Sequence, residues 1–346
     1  MTTIALDAMG GDHGPAAALD GACALSREDA NIHVMVVGDV ARLGPMLDER
    51  RYDPARISLV HAAGFVPMAA DPRVALEQMP DCSIVVAARL VRDGEADALV
   101  SAGHTGATIL TASRVFQRLP GIRRSALAAV YPTEQRHGPK GDPFALMLDV
   151  GATLQASADD LVGFALMGSV YSAIISEIPS PRVALLSNGV EANRGTPQII
   201  EAHRRLVGGA LHFAGNVEGL DIPRGSVDVV VCDGFLGNVV LKMLEGVSDV
   251  MRDLAKQASA KSLQARFGLA MLEDGLKELS RLTDWKSYGG APLLGFDRPV
   301  IKAHGRSEGR AMRNAMKVAA KTVRGDLIGR IREGVASPTL GLVGES

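Results

Sequence analysis

Aromatic residues are scarce in this chain of 346 residues: they make up 4% of it, with one Trp, four Tyr and eight Phe. That scarcity argues against the stacking platforms that hold single-stranded nucleic acids. An excess of one charge is also missing. Thirty-seven Lys and Arg stand against 39 Asp and Glu, a net charge of −2, which argues against a strongly basic nucleic-acid binder. Cys23, Cys82 and Cys232 lie far apart without CxxC spacing. Neither a disulfide framework nor a zinc site is expected, and a reduced cytosol is the natural compartment. No apolar run approaches the roughly 18 residues that cross a bilayer, so any membrane contact is expected to be peripheral. Met1–Asp7 has no charged region followed by an apolar one, and no signal peptide is expected. Internal repeats and low-complexity segments are absent as well.

What is present is a rhythm. Short apolar runs recur at Ile4–Asp7, Ile32–Gly38, Ile57–Ala62, Ala98–Gly103, Ala126–Tyr131, Ala145–Gly151, Val183–Gly189, Leu211–Gly215, Val227–Gly234 and Val300–Gly305. Near-continuous apolar runs of this length suit strands buried on both faces. Helix-like stretches separate most of them, including Ala16–Arg27, Val74–Gly94, Ala158–Glu177 and Gln198–Val207. The alternation predicts an α/β fold with a doubly wound, mostly parallel sheet. One domain over residues 1–334 is expected, with a frayed tail at 335–346. The rhythm breaks between Gly237 and Trp285, where only a helical pattern runs. That segment predicts a helical hairpin over about 246–286 projecting from the sheet.

Ligands of such sheets bind beyond the carboxyl ends of the strands. Glycine turns there bring backbone N–H groups close to an anion, and helix N-termini add a favourable dipole. Five glycine turns stand in such places. The first, Asp7-Ala8-Met9-Gly10-Gly11-Asp12, has adjacent glycines and fails the GxGxxG spacing of a dinucleotide site. Asp7 and Asp12 also fit a plain capped turn. The second holds Ser101, Gly103, His104, Thr105 and Gly106. It reads as a phosphate or carbonyl-oxygen cradle, or equally as an N-cap at Thr105. The third runs from Gly189 to Gly195, where Arg194 either forks onto a phosphate or is a surface arginine. The fourth is Cys232-Asp233-Gly234-Phe235-Leu236-Gly237-Asn238, with Asn238 near a helix start. The fifth spans Tyr288–Gly295 and leads to Lys302 and His304 at a strand end.

Taken together, these segments closely resemble the bacterial phosphate acyltransferase family, which makes acyl-phosphate from acyl-carrier protein. The resemblance rests on Ala5–Asp12, Ser101–Ala107, Gly189–Gly195, Cys232–Asn238, Gly289–Gly295 and Val300–Gly305, across nearly the whole chain. It implies a fold similar to isopropylmalate dehydrogenases and phosphate acetyltransferases. It further implies a cytoplasmic homodimer held loosely at the membrane beside a membrane glycerol-3-phosphate acyltransferase. No metal or other cofactor is implied. The chain departs from the family pattern at His104 (usually Asn), Arg194 (usually Lys), Gly289 (commonly Asn), Thr153 and Glu77–Cys82.

The implied reaction is attack of inorganic phosphate on an acyl thioester. Phosphate near pH 7 is largely dianionic, given a second pKa of about 6. A thiol of pKa about 8.5 leaves without strong acid assistance. Positioning and charge stabilisation are then what a protein must supply. Arg194 is expected to clamp phosphate, at a cost of at least about a hundredfold on removal. Asp233 and Asn238 are expected to organise the site with Lys302 and His304, and His104 or Thr105 to lie near the carbonyl. Asp7, Gly10, Gly11, Asp12, Ser101, Gly106, Gly189 and Gly234 complete the expected set. Phe267, Leu269, Met271 and Leu272 read as a lipid-touching tip or as a leucine seam in a dimer. Arg118, Arg123 and Arg124 are candidates for meeting an acidic carrier protein. Three other readings compete: an acyl-coenzyme A phosphate acetyltransferase, a nicotinamide dehydrogenase, and an inactive relative that recruits partners to the membrane.

Overall fold

In the computed structural model, which describes residues 1–261 and 289–336, eleven strands form one sheet. One half is parallel throughout: β3 (Ile57–His61), β2 (Ile32–Gly38), β1 (Thr2–Asp7), β4 (Ala98–Ser101) and β11 (Val300–Lys302). The antiparallel β10 (Ala291–Leu294) joins β11 to β5 (Ala126–His137), which turns back into β6 (Asp142–Leu148). Then β9 (Val229–Val231), β7 (Val183–Leu186) and β8 (Phe213–Val217) continue parallel to β6. Strands such as β4 and β9 are buried at every position, which explains their unbroken apolar sequences.

Helices cover both faces, as a doubly wound sheet requires. One face carries α3 (Pro72–Gln78), α4 (Ser83–Arg92), α5 (Thr105–Val115), α8 (Asp221–Arg224) and the 28-residue α9 (Gly234–Lys261). The other carries α1 (Ala16–Glu28), α2 (Val40–Asp48) and α10 (Gly309–Arg324) over the first half. Over the second half it carries α6 (Ala158–Ile175), α7 (Pro197–Leu206) and α11 (Leu327–Ala336).

Three expectations change. The single helix expected over Val74–Gly94 is two, α3 and α4, parted at Met79–Cys82 around Pro80, which lacks the N–H a helix interior needs. The fifth glycine turn contains a strand, β10, whose three buried apolar residues were hidden between Gly289-Gly290 and Gly295. And α6 is 18 residues long with mean hydropathy 1.4, enough by length and composition to cross a membrane. It is the core helix of the second half, 67% buried, and a helix apolar on all sides belongs in either setting. Its start is fixed by a capping box: Ser157 Oγ accepts from the Asp160 N–H at 3.2 Å and Asp160 Oδ2 accepts from the Ser157 N–H at 2.9 Å. Ser157→Ala is expected to lower stability by about 1 kcal/mol, read from the midpoint of urea unfolding. The expected hairpin lies mostly outside the described residues, with Phe267, Leu269, Met271 and Leu272; α9 is its described part. Residues 337–346 of the expected tail also lie outside them.

Candidate active site

The side chains with the most chemistry form a row across three adjacent strands. Asp7 ends β1, Ser101 ends β4 and Lys302 ends β11; Asp7 pairs in register with Ser101, and Ser101 with Lys302. Strand alternation puts all three on the face covered by α3, α4 and α5, since Ala5, Leu99 and Val300 two positions earlier belong to that face's core. All three are buried. Asp7 accepts from Ser83 Oγ at 2.6 Å through one oxygen and from Ser101 Oγ at 2.6 Å through the other. Ser101 Oγ in turn accepts from the Gly103 N–H at 3.0 Å. Asp7 thereby fixes the hydroxyl that fixes the glycine turn. Burial raises its carboxyl, while the two serine hydroxyls and Lys302 counteract that rise. Burial also brings the Lys302 ammonium down to about 8, against the opposing pull of Asp7 and Asp12.

Three loops close over this row. An added Cβ at Gly10 would lie 2.5 Å from Gly103 Cα and 2.8 Å from its nitrogen, so the first and second glycine turns touch backbone to backbone. Gly11 takes φ +92°, open to glycine at no steric cost. The Asp12 N–H donates to Gly305 O at 2.8 Å and the Ala303 N–H to Ser101 O at 2.8 Å, which ties in the loop carrying His304. Two helix N-termini border the same cleft: α4 brings Ser83, and α5 brings its cap His104 with Ala107 and Thr108. The N–H groups of Thr105 and Gly106 lie in the first turn of α5, where intrahelical partners are lacking. The cleft is lined by Asp7, Gly10, Ser83, Ser101, Gly103 and His104.

The two histidines have defined tautomers. His104 caps α5, its Nδ1 accepting from the Ala107 N–H at 3.3 Å. Nε2 therefore carries the proton of the neutral ring. His304 Nδ1 accepts from the Arg306 N–H at 3.2 Å, which fixes the same tautomer. Burial holds the His304 imidazole below its usual range, and the charges nearest in effect are Glu245 and Lys242 of α9.

The remaining expected residues lie in the other half of the sheet. There β6, β9 and β7 run opposite to β1, β4 and β11, so their carboxyl ends open on the opposite edge. The expectation of one edge for all the turns gives way to two groups, joined by α9, which starts in the second and bears the charges that reach His304. Asp233 caps α9, accepting from the Leu236 N–H at 2.8 Å. Asn238 Nδ2 donates to Val150 O at 3.2 Å. Gly234 packs against Asp149. Arg194 pairs with Glu191 at 3.4 Å, the two side chains 57% and 59% exposed, beside Gly189. From β11 to β7 is five strand spacings, about 24 Å along the sheet. Of the arginines considered for a carrier surface, Arg118 lies 4.9 Å over the Phe296 ring, Arg123 pairs with Asp159, and Arg124 is exposed.

Sequence reasoning passed over two residues. Ser83 follows the departing Glu77–Cys82 segment, and only its contact with Asp7 reveals it. Asp149 is fully buried and accepts from the N–H groups of Leu127, Gly151, Ala152 and Thr153. Its position in Asp149-Val150-Gly151-Ala152-Thr153 was a usable signal.

Comparison with known proteins meets this geometry from outside. A family model described as "Fatty acid synthesis protein" matches residues 2–330. The phosphate acyltransferase of Heliobacterium modesticaldum is 41% identical over 331 residues, 95% of this chain and 96% of its own. That of Desulfitobacterium hafniense (strain Y51) is 42% identical over 334 residues, covering 96% and 97%. Among solved structures, a phosphotransacetylase from Streptococcus pyogenes superposes with a TM-score of 0.61 at 16% identity, covering 93% of this chain and 94% of its own. The 4-hydroxythreonine-4-phosphate dehydrogenase of Klebsiella pneumoniae reaches 0.53 at 14%, covering 93% and 99%. At these identities the structures speak for the shared α/β fold alone.

Proposed function

The chain belongs to this fatty acid synthesis protein family of phosphate acyltransferases, and from that premise we propose that it transfers a fatty acyl group from acyl-carrier protein to inorganic phosphate. The acyl-phosphate formed serves phospholipid synthesis. One observation carries the assignment of the site: the buried row Asp7–Ser101–Lys302 beneath two touching glycine turns and two helix N-termini. Phosphate sits against the Lys302 ammonium and the N–H groups of the first and second turns. Its oxygen attacks the thioester carbonyl carbon, the carbonyl oxygen gains charge, and the carrier leaves as thiolate as the C–O bond replaces the C–S bond. His104, through its Nε2–H, and the Thr105 N–H stabilise that oxygen. His304 and Asp12 hold the third loop in place, and Asp233 and Asn238 set the start of α9. The test is direct: purified protein, acyl-carrier thioester and phosphate should yield free thiol and acyl-phosphate together. Comparing carrier with coenzyme A thioesters then identifies the donor.

Activity should depend on pH in a defined direction. Phosphate becomes the dianion above about pH 6. Lys302 carries its charge below about 8 and loses it as pH rises through that value. The rate at low phosphate is therefore expected to climb to about pH 7 and to fall beyond 8. A rate flat to about pH 10, where an ordinary lysine titrates, would remove Lys302 from the phosphate.

The protein acts as a cytoplasmic homodimer at the membrane surface, handing its product to a membrane glycerol-3-phosphate acyltransferase. Support for association comes from α9, where Leu236, Val239, Met243, Val247, Val250 and Leu254 are exposed at three- and four-residue spacing. Liposome flotation of a Phe267→Asp, Leu269→Asp double variant tests the lipid contact; binding equal to the parent excludes that tip.

A further inference from the structure

A second cavity lies on the opposite face of the sheet, at the seam between its two halves. It measures about 170 Å³, well above the roughly 10–15 Å³ that admits a single water. Val130, Phe144 and Leu146 line it from β5 and β6, Tyr171 and Ile175 from α6, and Val318 from α10. Its position relative to the anion site is defined by Gly290, which also lines it. A Cβ at Gly290 would lie 3.0 Å from Lys302 O and 3.3 Å from Ala303 Cα. The cavity wall at Gly290 therefore rests on the backbone of Lys302, whose side chain lies on the other face of the sheet. Among the described residues its polar groups are few: Asp142 and Ser176 line it, with the phenol of Tyr171. Burial pushes the Asp142 carboxyl up, as an apolar surrounding does to an acid.

We infer that this cavity holds the hydrocarbon tail of the acyl group and sets the chain length the protein accepts. The inference rests on the acyl-transfer reading above. The chemistry of the occupant follows from the lining and from the position. The pocket is largely apolar, has Gly290 against the Lys302 backbone in its wall, and among the described residues presents no cation to hold a charged ligand of its own. A tail running over the edge at Gly290 leaves its thioester end near Lys302 and its methyl end between α6 and α10. Each methylene buried there favours binding by about fourfold, so lost length translates steeply into lost selectivity.

Two arms test it. In the first, Val130→Phe and Val318→Phe narrow the cavity, and kcat/KM is measured with hexadecanoyl and butanoyl carrier thioesters. The ratio of long to short is expected to fall at least about tenfold, the value of two buried methylenes. An unchanged ratio overturns the inference. The second arm uses the unmodified protein and a hexadecanoyl phosphate mimic with a diazirine at its methyl end. Photolabel on the segment Phe144–Leu146 or Tyr171–Ile175 is the expected result, and label found only elsewhere overturns it. This arm needs no turnover, so it decides the location of the tail even where the first arm shows the acyl-transfer reading itself to fail.

Discussion

Lys302→Met is expected to slow acyl-phosphate formation at least a hundredfold, with the fold retained. Methionine keeps nearly the length and the apolar character of the lysine stem and removes the ammonium, with its charge and its hydrogen bond to Ala303 O. Losing one preorganised charged donor at a reacting centre costs about that factor, and the loss should fall mainly on the phosphate dependence. Stability should hold because a buried ammonium is costly to desolvate, which is what draws Lys302 down to about 8. Asp7 keeps the Ser83 and Ser101 hydroxyls as partners in the variant. Steady-state rates across a phosphate series, with thermal unfolding alongside, separate the two effects. Arg194→Ala serves as the comparison. The sequence suggested the larger role for Arg194, but its side chain is more than half exposed and paired with Glu191 in the other half of the sheet. It is now expected to cost less than about tenfold, as exposed ion pairs contribute little.

Gly10→Ala should be about as damaging for a different reason. The new methyl would meet the Gly103 backbone at 2.5 and 2.8 Å, and neither atom belongs to a flexible side chain that can swing away. The two turns must part, and displacing N–H groups by as little as about 1 Å costs about a hundredfold in positioning. Overpacking of this kind also costs about 1–3 kcal/mol of stability. Gly44→Ala is the matched control: nothing lies within 4 Å of a Cβ there. Turnover and melting temperature of the two variants, measured together, check the prediction. Equal activity in both would mean that the contact of Gly10 with Gly103 is not needed.

Much of the fold was legible because buried parallel strands leave an unbroken apolar signature. Ile32–Gly38 was read with its observed limits, and Ala16–Arg27 fell one residue short of α1. What failed has physical causes. Strand β10 is short and flanked by glycines, so its apolar residues looked like part of a turn. Helix α6 was missed as a possible span because glycines and serines interrupt its apolar residues. Strand polarity is not written in any local pattern. It depends on β10 and the β5–β6 hairpin reversing direction at mid-sheet, and this separates Asp233, Asn238 and Arg194 from the row at Asp7. Within the first half, Asp7, Gly10, Ser101 and Lys302 were all named and lie together in the structure, since strand ends followed by glycine carry a local signal. Ser83 had none, because its role comes from a contact 76 residues distant in sequence.

The account is tested most directly by titrating inorganic phosphate into nitrogen-15-labelled protein and following backbone amide shifts. Gly10, Gly11, Gly103 and Gly106 are expected to move together with one saturating dissociation constant, while Gly189 and Gly195 stay still. Movement confined to Gly189 and Gly195, with the first four unmoved, would contradict it.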